Sequence, residues 1–152
     1  MAGRVGRGPL YETSIERVGL AIGAGGAMGG AIATLLLAFA GGYSLGTMVS
    51  ALVIGALLTA LGVTALAAIP WALLHASGRR GPVAAAAVGA VIGFVLFLSG
   101  QTYGFGFSPA PAMDAGTWLY RWASGIATSL VMAAMAAGVA VVMWRVAYRR
   151  VG

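Results

Sequence analysis

From Val18 to Gly78 the sequence carries no Asp, Glu, Lys or Arg for 61 residues, and His75 is the one histidine there. A second uncharged run covers Gly81 to Met113, and a third covers Trp122 to Trp144. A soluble domain takes about a quarter of its residues from Asp, Glu, Lys and Arg. Here the charged share is 8% in 152 residues, too little to cover a water-exposed globule. The mean hydropathy of +0.96 excludes an intrinsically disordered chain as well. An integral membrane protein remains.

A span needs about 20 apolar residues to cross roughly 30 Å of hydrocarbon. The first uncharged run therefore holds two spans and a hairpin, and the other two hold one each. The expected fold is all-α: one four-helix transmembrane domain over residues 1–152, with helices at about 15–40, 47–76, 82–101 and 115–147. Thr13-Ser14-Ile15-Glu16 reads as a capping box opening the first helix. Gly78 is a natural stop for the second, Pro82 suits the first turn of the third, and Asp114 suits the N-cap of the fourth. Pro70 is expected to kink the second helix or end its regular part near Ile69.

The arginines orient these spans. With the N-terminus in the cytoplasm, Arg4, Arg7, Arg17, Arg79, Arg80, Arg145, Arg149 and Arg150 all fall inside, and Arg121 alone falls outside. That asymmetry follows the positive-inside rule and puts both termini in the cytoplasm. Tyr11, Trp71, Trp144 and Tyr148 would mark the inner interface; Tyr43, Tyr103, Trp118, Tyr120 and Trp122 would mark the outer one. The expected location is the bacterial cytoplasmic membrane. Ala38-Phe39-Ala40 resembles a leader cleavage site, but the apolar run is too long for a leader, so the first helix is read as retained.

Glycine is the most informative residue type, with 25 copies. Gly19 and Gly23 form one GxxxG pair in the first helix and Gly26 and Gly30 another, with Gly25 and Gly29 on a neighbouring face. Gly89 and Gly93 repeat the spacing in the third helix. Small residues four apart let helix backbones approach in lipid, where dispersion rather than water drives packing. These six paired glycines are the expected packing positions, and the first helix has enough small-residue surface for a neighbour in this chain and another outside it. The Gly23–Gly30 run is no dinucleotide motif, because Met28 stands where the third glycine belongs and no acidic residue follows before Asp114.

Two other features have both a functional and a plain reading. His75 is the sole histidine and could ligate the metal of a haem or pigment, although an interfacial histidine contacting water or headgroups is the simpler explanation. Arg121, Ser124 and Thr128 form a polar strip on the fourth helix, readable as the mouth of a pathway or as a snorkelling arginine with helix-bonded hydroxyls. Asp, Glu, Lys and Arg are missing from every expected bilayer centre, where coupled transporters usually keep one. With one histidine, three acids and no cysteine, no catalytic set assembles. The expectation is a non-catalytic accessory subunit of a larger membrane complex, of a bioenergetic or photosynthetic kind. Its partners would be the bilayer and other membrane subunits, with no nucleic acid and no resident cofactor. The alternative is a small oligomeric channel or transporter.

Overall fold

The computed structural model describes residues 10–41, 44–104 and 114–151. Arg4, Arg7, Tyr43 and most of the expected loop before Asp114 lie outside them. In order, the chain forms β1 (Leu10–Glu12), α1 (Ile15–Phe39), α2 (Leu45–Gly62), a π turn (Val63–Ala67), α3 (Ala68–Ala76), α4 (Pro82–Tyr103), α5 (Ala115–Ala147) and β2 (Arg149–Val151). The run Leu45–Ala76 is continuous helix, so four helices are long and apolar enough to cross a membrane, with mean hydropathies from 1.8 to 2.4. The chain divides into two compact units: residues 1–63 with 142–152, and residues 64–141.

In the first unit, Ser14 caps α1. Its backbone is extended, and its side chain accepts a hydrogen bond from the Arg17 N–H at 3.3 Å. This corrects the expected capping box. With Ser14 as the cap, Glu16 sits at the second helical position instead of the third, so it is out of register to bond back to the cap. The Thr13 hydroxyl is instead buried without a hydrogen-bond partner.

Helix α1 runs antiparallel to α2 at backbone-contact distance. The Thr34 hydroxyl donates to the Gly30 carbonyl on its own helix at 2.9 Å and reaches the Met48 carbonyl of α2 at 3.4 Å. The two ends of the chain meet in a short antiparallel ladder, with Leu10 opposite Val151, Tyr11 opposite Arg150 and Glu12 opposite Arg149. Such a ladder is marginal alone. It is backed by rings: Tyr11 stands edge-on to Trp144 at 5.2 Å and to Tyr148 at 6.3 Å. Edge-to-face pairs contribute about 0.5–1.5 kcal/mol each beyond the area they bury.

In the second unit, regular helix does not end near Ile69 but runs through Pro70 to Ala76. A proline offers no N–H to the carbonyl four residues back, here Leu66, and its ring presses on that carbonyl in a regular helix. The turn containing Leu66 widens to π, and regular helix resumes at Ala68. Pro70 then falls in the first turn of the regular segment that follows the π turn.

Helix α3 ends where Gly78 adopts φ +75°. That left-handed residue lets the Arg79 N–H return to the Leu74 carbonyl at 3.0 Å and the Gly78 N–H to the His75 carbonyl at 3.3 Å, the Schellman pattern. Pro82 opens α4 after the extended Gly81. Asp114 caps α5 through hydrogen bonds from the Gly116 and Thr117 N–H groups at 3.1 and 3.2 Å.

Candidate functional site

The six glycines singled out by spacing do different things. A Cβ built on Gly26 would stand 3.1 Å from the Ala56 carbonyl oxygen and 3.4 Å from the Ala60 Cβ. One on Gly30 would run into the Leu52 carbonyl oxygen, with the Ala56 Cβ at 3.1 Å. From the other side, a Cβ on Gly55 would meet the Ala33 Cβ at 2.6 Å. The α1–α2 seam thus has no room for side chains at these positions.

The α4–α5 seam is equally close. A Cβ on Gly89 would meet the Ala140 Cβ at 2.6 Å and the Ala136 carbonyl oxygen at 2.7 Å. One on Gly93 would meet the Ala136 Cβ at 2.7 Å. Gly19 and Gly23 are different: nothing lies within 4 Å of a Cβ at either. Both are exposed, as are Ala27 and Ala31, so a row of four small residues at four-residue spacing is left uncovered on α1.

Gly25 and Gly29, the pair on the neighbouring face, are contact positions as well. A Cβ on Gly25 would meet the Met143 side chain of α5, and one on Gly29 would meet the Thr59 side chain of α2. Between α1 and α2 there is also an apolar groove of about 450 Å³, lined by Ala33, Leu37, Ala51, Ile54, Gly55 and Leu58.

The polar strip on α5 gains partners on α4. The Thr128 hydroxyl lies 2.6 Å from Gln101 Oε1 and 2.8 Å from the Ser124 carbonyl oxygen on its own helix. The Ser124 hydroxyl donates to the Arg121 carbonyl at 3.1 Å. Gln101 was not singled out in the sequence, although a polar amide at the end of an apolar helix was the available signal. Thr102, 2% exposed, satisfies its hydroxyl on the Leu98 carbonyl at 2.6 Å. Ser129 is fully buried, and its hydroxyl has no hydrogen-bond partner.

The α4–α5 contacts also fix a register. Gly89 lies against Ala136 and Ala140, while Gly125 lies near Leu98 and Thr102. Residues 115–122 of α5 therefore continue past the end of α4, carrying the Trp118–Trp122 ring pair at 6.0 Å.

His75 sits in the last turn of α3, half-buried, with its ring 5.4 Å from Trp71 at a 34° tilt. Its carbonyl accepts from Gly78 and from Arg80 Nε, both at 3.3 Å. The observed contacts thus tie the residue into a helix terminus, with Trp71 one turn earlier on the same helix. Among the described residues, no group of three or more His, Asp or Glu side chains is placed to share a metal ion.

Asp114, beside the strip in sequence, is held below its ordinary pKa of 3.8, chiefly by the hydrogen bond from the Thr117 hydroxyl and then by the Thr117 backbone N–H. Comparison of the chain with protein families, with curated proteins and with solved structures returns no match.

Proposed function

We propose that the protein is a non-catalytic accessory subunit of a larger membrane complex, of a bioenergetic or photosynthetic kind, in the bacterial cytoplasmic membrane. Both termini face the cytoplasm, as the arginine asymmetry argues. One observation carries this reading. Helix α1 has more small-residue surface than the chain itself uses. Gly26 and Gly30 are taken up by α2, whereas Gly19, Gly23, Ala27 and Ala31 stay exposed, with open space over both glycines.

An exposed glycine in an ordinary helix interior costs up to about 1 kcal/mol against alanine. Close approach of a partner helix is what that cost would secure. The tests are extraction in a mild detergent and deletion of the protein. The chain should migrate with a larger complex, and the complex should weaken without it. A chain that migrates alone, and whose loss leaves every membrane complex unchanged, rejects the role.

A second reading, a small oligomeric channel or transporter, is favoured by the Gln101–Thr128 contact, which joins α4 to the strip of Arg121, Ser124 and Thr128. On that reading, the purified protein in liposomes would carry a solute or ion flux that Arg121→Ala or Thr128→Val abolishes.

A further inference from the structure

Where Gly55 of α2 meets Ala33 of α1, the two backbones run too close for larger side chains between them. The small residues leave an open groove along this helix pair, and its whole lining belongs to the first unit. In that lining Ala33, Ala51 and Gly55 are half-buried, whereas Ile54 and Leu58 are exposed.

Three properties define what fits. The first is length. The lining of α2 runs from Gly46 and Thr47, in its first turn, to Leu58. At 1.5 Å per residue, Thr47 to Leu58 is about 16 Å, close to the roughly 15 Å hydrocarbon depth of one leaflet. The second is width. About 450 Å³ over that length gives a mean cross-section of about 28 Å². A helix about 10 Å across needs roughly 80 Å², so no further helix enters the groove, whereas an unbranched hydrocarbon chain does. The third is polarity. Among the lining residues, hydroxyls occur only at the hairpin end, on Thr47 and Ser50. On these two helices the one cation is Arg17, at the end of α1 far from the hairpin. The polar end therefore suits a neutral ester and not the carboxylate of a free fatty acid.

We propose that the groove holds one acyl chain of a bilayer glycerolipid, with its ester beside Thr47 and Ser50 and its terminal methyl beside Leu58. Such occupancy requires these helices to span a membrane and is independent of the accessory role.

The full-length protein in phospholipid vesicles tests this with two trace probes. Each is a phosphatidylcholine with a photoreactive diazirine on one acyl chain, either near the ester or near the methyl end. After illumination, mass spectrometry maps the adducts. The near-ester probe should mark Thr47 to Ala51, and the methyl-end probe should mark Ile54 to Leu58. Each should exceed by several-fold the labelling of Ile126, Leu130 and Val131, exposed apolar residues of α5. Ala51→Phe, which puts a ring into the groove, should remove that enrichment and leave the labelling of α5 unchanged. Leu57→Phe, exposed on α2 outside the lining, should keep it.

Equal labelling of the groove and of α5 by both probes rejects the site, because it reports only passing lipid. Groove labelling below that of α5 rejects it too, because protein then covers the groove. Enrichment that persists in Ala51→Phe also overturns it. Should Ala51→Phe fail to fold, the distribution of the two probes on the native chain decides alone.

Discussion

The Thr59 side chain occupies the space that a Cβ on Gly29 would need. Replacing glycine by alanine in a helix interior normally gains about 0.5–1 kcal/mol. Here overpacking reverses the sign, at a typical cost of about 1–3 kcal/mol. Gly29→Ala should therefore lower stability toward denaturation in detergent, and Thr59→Gly in the same chain should recover part of the loss. Thr59→Ala should recover less, because the Thr59 Cβ is itself among the obstructing atoms. Gly23→Ala, with open space around it, should be neutral or stabilising. A double-mutant cycle with no coupling between positions 29 and 59 contradicts this packing.

The helix ends were legible in sequence because charge, glycine and proline mark them directly. Pro82, Gly78 and Asp114 each stand where the structure needs them. The choice of packing face was not legible. In water an apolar stripe would mark the buried side of a helix, but in α1 every side is apolar or small, so the six glycines at 19, 23, 25, 26, 29 and 30 carry no directional signal. The π turn was hidden for a related reason. Pro70 announces a missing N–H, but nothing in the residue types says whether the helix ends, kinks or widens. The ladder of Leu10–Glu12 with Arg149–Val151 was missed because three-residue strands are too short to show alternation. The interfacial assignment of Tyr11, Trp144 and Tyr148 to one boundary was the sole hint that the two ends meet.

Asp114 gives a pH dependence of known sign. Its pKa is lowered in the folded chain, first by the Thr117 hydroxyl and then by the Thr117 N–H. The carboxylate cap therefore contributes its full stabilisation above the ordinary value of 3.8, and the contribution is lost as pH falls through the lower, folded-state value. Asp114→Ala should fray the first turn of α5 at neutral pH, and the difference from the native chain should shrink at pH values below 3.8. Amide exchange at Gly116 and Thr117 measures this. A difference that stays constant down to the lowest accessible pH contradicts the cap.

The orientation proposed from the arginines predicts opposite labelling of two single cysteines. Ser77 follows α3 beside Arg79 and Arg80, and Ala115 opens α5 at the other end of the spans. With both termini cytoplasmic, Ser77→Cys should react with an impermeant maleimide only in inverted vesicles, and Ala115→Cys only in intact cells stripped of their outer barrier. Labelling of Ala115→Cys from the cytoplasmic side overturns the orientation. The cysteine-free background makes each signal unambiguous.

The exposed row on α1 separates a packing role inside the chain from one outside it. Gly30 and Gly23 lie seven residues apart on the same helix, yet one faces backbone and the other faces open space. Gly30→Leu should weaken the fold itself, because the Leu52 carbonyl cannot move aside as a flexible side chain could. Gly23→Leu should leave the isolated protein no less stable than the native chain, because it meets nothing and replaces a poor helix former. If the accessory role is right, Gly23→Leu should nevertheless release the protein from its complex in mild detergent, since a leucine there holds a partner backbone away. Leu36→Phe, an exchange of one large apolar group for another, serves as the control and should stay associated. Retention of Gly23→Leu in the complex, at the level of that control, would show that the exposed glycines face lipid alone.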